Sequence, residues 1–134
     1  MKLIQGLTIT LLMCSVLICT PVVKASTVTE ALDLIALLRS QTEDANFTGV
    51  NAEQDRAFLL RKIDAAKIAV DQARFCKAVK DLQDFNAHVD KLDREQQVLE
   101  GPHGVTVHDM HDTFSLATDI INKLIEQSGV TCKP

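Results

Sequence analysis

Apolar residues recur every three or four positions along most of this chain, the spacing that gathers them on one face of a helix. In STVTEALDLIALLRSQ, beginning at Ser26, that face is Val28, Ala31, Leu32, Ile35 and Leu38. Ser26 or Thr27 can cap its start, and the polar stretch TEDANFTGVN closes it. A second helix is expected from Asn51, whose side chain can reach the amide of Gln54 in a capping box. Its stripe is Leu59, Ile63, Ala66 and Val70, with Leu60 beside it. A third runs through FCKAVKDLQDFNAHVDKLDREQQVLE, where Val79, Leu82, Phe85, Val89 and Leu92 form a narrow seam and pairs such as Lys77 and Asp81 decorate the outer face. The last is expected from about Val107 to Gln127, with Phe114, Ala117, Ile120, Ile121, Leu124 and Ile125 inward and Gly129 at its end. Glu100-Gly101-Pro102-His103-Gly104 separates the last two. No segment alternates in the manner of a hairpin strand. The pattern predicts an all-α fold: a three-helix up-down-up bundle with an additional N-terminal helix.

The join between the second and third helices lacks both Gly and Pro. Read as one helix, residues 52 to 99 would span about 72 Å at 1.5 Å per residue, longer than a domain of this size can cover on both halves. A turn is therefore expected near residues 72–75.

The first 25 residues read differently. Lys2 precedes the apolar run LTITLLMCSVLIC, Pro21 breaks it, and Val23-Lys24-Ala25 places small residues where a signal peptidase acts. Residues 1–25 are expected to be a secretory signal peptide cleaved after Ala25, leaving residues 26–134 as a single helical domain with no membrane span. The run is short for a membrane anchor. Lipid attachment is not expected, since Cys19 follows Ile18, where a small residue is required. Export places the protein in a secreted, periplasmic or otherwise extracytoplasmic setting. There Asn46-Phe47-Thr48 would be a glycan acceptor in a eukaryotic source.

Charge and composition narrow the partners. The 134-residue chain carries a formal charge of −4. Lys2 and Lys24 leave with the leader and no acid does, so twelve bases face eighteen acids and the charge becomes −6. That balance argues against nucleic acid and anionic membranes as partners. Trp and Tyr are absent, which removes the rings that sugar-binding surfaces usually present. Two cysteines remain after processing, Cys76 and Cys132. In an up-down-up bundle the third helix starts where the fourth ends, so both lie at one pole and a disulfide is expected in an exported chain.

The stretch FLLRKIDAAKIAVDQARFCKAVKDLQDFNAHV, residues 58–89, resembles the FIMAH domain, a small helical module of secreted and surface bacterial proteins. The matching positions are Ala31 to Leu38 in the leader helix; Leu59, Leu60, Lys62, Ile63, Ala65, Ala66, Val70 and Asp71; Lys77, Ala78, Leu82, Phe85 and Val89; and Ile120-Ile121. They cover most of residues 26–134. Where the family usually has Gly-Asn in the turn, this chain has Ala73-Arg74. The resemblance implies an accessory module with no catalytic residues to carry over.

Three of the four histidines fall within GPHGVTVHDMHD. One reading is a metal site: His108 and His111 share a helix face, Asp112 is four residues from His108, and His103 can fold in from the loop, a donor set suited to zinc or nickel. The other is a helix start: Thr106 as N-cap with Asp109 at N3 forms a capping-box variant, and Asp109 and Asp112 suit the helix dipole. His88 reads as a boundary residue beside the Phe85/Val89 seam. No Ser-His-Asp order, Gly-rich phosphate loop or CxxC is present, and the acids are spread along helix surfaces, so no catalytic residues and no enzymatic activity are expected. The sequence-level expectation is a secreted, non-catalytic interaction module that binds an extracellular or envelope protein. It is expected to be monomeric and to need no cofactor. The alternative is an extracytoplasmic protein that binds a metal, zinc foremost, or a small apolar ligand between its helices.

Overall fold

The computed structural model describes residues 20–133, with side chains from Ala25 onward. Residues 1–19, most of the expected leader, lie outside the described residues. Four helices follow in order: α1 (Thr20–Asp44), α2 (Ala52–Asp71), α3 (Phe75–Arg94) and α4 (Val107–Ser128). Two-residue strands β1 (Asn46–Phe47) and β2 (Val98–Leu99) lie in the connections after α1 and α3. The fold is all-α, as the periodicity predicts. No described helix is long and apolar enough to cross a membrane.

Side-chain contacts fix the directions. Thr42 lies against Met110, Arg39 bonds Asp64, Asp55 meets His88, and Asp90 meets His111. Each helix is thus antiparallel to the next, and α1 returns to pack on α4, closing a ring of four. The N-terminal helix is therefore a full member of the bundle. Its Ala31, Ile35 and Leu38 are buried together with Leu59, Ile63, Leu82, Phe85, Val89, Ile121 and Leu124.

Several boundaries differ from the sequence reading. The described part of α1 already runs from Thr20, so Ser26 and Thr27 sit inside the helix rather than capping it, and the expected cleavage point after Ala25 falls within the helix. Asn51 precedes α2 but makes no side-chain cap bond; its backbone, at φ −108°, ψ 11°, is not in the extended region typical of capping residues. α3 ends at Arg94, six residues before the expected limit, because β2 takes over at Val98. β1 and β2 form an antiparallel ribbon, Asn46 opposite Leu99 and Phe47 opposite Val98. Thr48 N–H extends it by donating to Gln97 O at 2.7 Å. A ladder two residues long has no alternation to read. It forms because Phe47 and Val98 are buried over the end of the core.

The turn between α2 and α3 lies where expected, and its chemistry is now visible. Arg74 N–H donates to Ala69 O and Ala73 N–H to Val70 O, at 2.7 and 2.9 Å, a Schellman ending. Ala73 has φ 55°, the left-handed position that glycine normally fills. Gln96, at φ 52°, plays the same part after α3. The helices stop because orphan carbonyls are satisfied by this geometry, at the expense of a Cβ in a crowded region. Ala73→Gly is therefore expected to stabilise the protein by about 1 kcal/mol. The urea midpoint should rise with an unchanged slope.

The bundle is fastened at both ends. At one pole Cys76, second residue of α3, is bonded to Cys132 beyond α4, with Cα atoms 5.4 Å apart. At the other pole the ribbon joins the two long connections. There a Cβ on Gly101 would lie 2.1 Å from Asp44 O, so only glycine lets the 100–105 loop close over the end of α1. One ion pair faces inward, contrary to expectation. Asp81 is buried between α2 and α3, and takes Lys77 Nζ at 2.6 Å and Lys62 Nζ at 3.9 Å.

Candidate functional site

The polar groups that converge lie at the ribbon pole, where α3 ends and α4 begins. Thr106 caps α4. Its Oγ1 accepts from Asp109 N–H at 3.3 Å, while its own N–H and hydroxyl donate to Asp109 Oδ2 at 2.7 and 2.8 Å. The capping box read in the sequence is present. The Thr106 backbone N–H, aided by the hydroxyl, holds the Asp109 carboxyl below the usual carboxylate range. A group lowered in the folded state contributes stability that is full above its unfolded pKa, near 4, and lost as pH falls through the lower folded value. Asp109→Asn is thus expected to destabilise the protein at neutral pH, the difference from wild type shrinking below about pH 4. Urea midpoints measured across pH 2–7 would check it; a constant difference would contradict the assignment.

His111 follows the cap. One turn into α4, its ring reaches across to α3. His111 Nδ1 is 2.6 Å from Asn86 Oδ1, and Nε2 is 3.1 Å from Asp90 Oδ1. Asn86 Nδ2–H donates to Asp90 Oδ2 at 3.3 Å. That bond fixes the amide, since turning it would set oxygen against carboxylate. The Asn86 oxygen can only accept, so Nδ1–H is the donor to it. Three side chains on two helices therefore form a closed set.

Of the other candidates, His108 is exposed, with Nε2 3.5 Å from Asp112 Oδ2 along the same helix. His103 is exposed in the loop. The structure thus places His111 against α3 and leaves His108 with Asp112 on the outer side of α4. Among the described residues, no three His, Cys, Asp or Glu side chains already converge as a metal would require. His108 and His111 do line one hollow of ≈ 440 Å³, together with Asp93, Leu99 and Glu100. A second hollow, ≈ 480 Å³, lies beside β1 between Asp44, Asn46, Arg56 and Pro102.

No protein family, curated protein or solved structure matches the chain.

His88 occupies the opposite seam. Its Nε2 is 2.9 Å from Asp55 Oδ1, and its ring lies 4.5 Å from that of Phe58. It is a boundary residue, as its position suggests, with a specific partner on α2. Asp55, Asn86 and Asp90 were not singled out in the sequence. The available signal was topological: in an up-down arrangement the end of α3 lies beside the starts of α2 and α4, so residues flanking the Phe85/Val89 seam must meet them.

Proposed function

We propose that this protein is a secreted, non-catalytic helical interaction module of the cell envelope or extracellular space. The observation that carries the proposal is where the features lie. The bundle axis is filled by Phe85, Ile35, Leu59, Ile63, Leu82 and Leu124, which supports a role for outer surfaces rather than for a ligand held between the helices. The two hollows open at the ribbon pole, where connections and helix ends together form the surface, and loops on a rigid scaffold are where binding residues concentrate. Val50 is fully exposed at the loop tip after β1, and Leu99 is half exposed on β2. The Cys76–Cys132 bond supports an oxidising compartment. The FIMAH resemblance adds the expectation of an accessory module.

A photoreactive residue at position 50 or 99, in protein made by its own host, is expected to give a discrete cross-linked adduct. One at position 68, exposed on α2, is expected to give none. Equal labelling at all three positions, no adduct at any, or a catalytic activity that maps to particular side chains would overturn the reading.

A further inference from the structure

We infer that the outer face of the α1/α4 pair docks a basic amphipathic helix of a partner protein, which lays apolar side chains over Leu37 and Leu116 and sets lysines or arginines against Asp33 and Asp119. This face runs along the side of the bundle rather than over the ribbon pole, so its test and the cross-linking at positions 50 and 99 can fail separately.

The domain's charge is unevenly spread. α2 and α3 each carry four acids and four bases. Every one of those acids but Asp93 meets a lysine, arginine or histidine nitrogen. From Ala25 to Asp44, α1 has Glu30, Asp33, Glu43 and Asp44 against Arg39 alone, and Arg39 is turned toward Asp64 on α2. α4 has Asp109, Asp112, Asp119 and Glu126 against Lys123 alone. The charges outside the helices, Arg74, Glu95, Glu100 and Lys133, cancel, so the −6 of residues 26–134 resides on the α1/α4 pair. Among the described residues, no basic side chain pairs with Glu30, Asp33, Asp119 or Glu126.

The same pair of helices presents leucine to solvent. Leu37 is 48% exposed and Leu116 56%. Arg39 marks the α2 flank of α1, and His111 the α3 flank of α4. At 3.6 residues per turn, Leu37 lies about 160° round from Arg39 and Leu116 about 140° round from His111, on the two flanks that border the α1/α4 seam. The register sets them level. Thr42 Oγ1 reaches Met110 Sδ across the seam; five residues back along α1 and six forward along antiparallel α4 stand Leu37 and Leu116. One turn further on, Asp33 and Asp119 are level in the same way, two like charges without a counter-ion among the described residues. An apolar pair beside facing acids complements a helix that is apolar on one side and basic on the other. A second copy fits worse, since two-fold pairing of this face would set acid against acid. Nucleic acid and anionic lipid meet the same repulsion.

The test is a fluorescence-anisotropy titration of the disulfide-intact protein into a labelled helical peptide built only of leucine and lysine, with the leucines on one face. One peptide per chain is expected to bind with Kd below about 0.1 mM, more weakly as salt is raised. The same peptide with glutamate for lysine should not bind. Leu37→Ala/Leu116→Ala should weaken binding about tenfold by removing apolar cover, and Asp33→Asn/Asp119→Asn about tenfold by removing charge. Asp93→Asn/Glu95→Gln makes the same change in net charge at the end of α3 and should bind within about twofold of wild type. All six positions are exposed, so the variants should melt as wild type does. An equal loss in Asp93→Asn/Glu95→Gln would show attraction by net charge alone and overturn the assignment. So would full binding in Leu37→Ala/Leu116→Ala, or no complex at all. A dimer of the protein by itself in sedimentation, lost in Leu37→Ala/Leu116→Ala, would assign the face to a second copy instead.

Discussion

Opening the Cys76–Cys132 bond is expected to remove about 4 kcal/mol of stability. The bridge closes a segment of 56 residues, and restoring freedom to an unfolded loop of that length corresponds to about 4 kcal/mol on the chain-entropy relation. A domain of this size is stable by roughly 5–15 kcal/mol in total, so the bond accounts for a large share. It matters more here because of where it acts. The segment it closes contains α3, the ribbon strand β2 and α4, so the reduced chain must bring both helices together without help. Cys76→Ala/Cys132→Ala should show a lower urea midpoint. It should also show a steeper slope, because an unfolded chain without the crosslink exposes more surface. An unchanged midpoint in reductant would show that the bond is not formed in the native protein.

Phe85→Ala is expected to have an effect of similar size, about 3–5 kcal/mol, by a different mechanism. Phe85 is fully buried and heads the large core side chains. It lies near the middle of α3, which packs on both α2 and α4, so truncation removes contacts from two interfaces at once. The neighbours are held by helices fastened at both poles and cannot collapse fully into the space. Phe85→Leu keeps most of the volume and should lose less than about 1.5 kcal/mol. Urea and thermal unfolding of the two variants would separate cavity from chemistry. A loss under about 1 kcal/mol for Phe85→Ala would place the centre of the core elsewhere.

The helices were legible because their signal is local and repeated. Leu59, Ile63, Ala66 and Val70 in α2, and Leu82, Phe85, Val89 and Leu92 in α3, are buried as their spacing requires. The Thr106/Asp109 cap was legible because both partners lie within one turn. The end of α3 and the Asn51 cap were not, since helix ends depend on what the flanking chain does next. The ribbon was invisible because a two-residue ladder has no period, and the inward turn of Asp81 because an i,i+4 ion pair looks alike on either face of a helix.

The sequence alone determined what depends on near neighbours: helical periodicity, the glycine break at residues 101–104, the cap of α4, and, through the order of helices, the pole shared by Cys76 and Cys132. Only the tertiary structure decided what depends on register across a seam. Spacing grouped His108, His111 and Asp112 on one helix. Packing α4 against α3 instead set His111 between Asn86 and Asp90, residues 25 and 21 positions away. The physical reason is range. A helix fixes neighbours three and four residues apart through its own backbone, but which side chains meet between helices depends on how two apolar faces interlock, and that is settled only when the core closes.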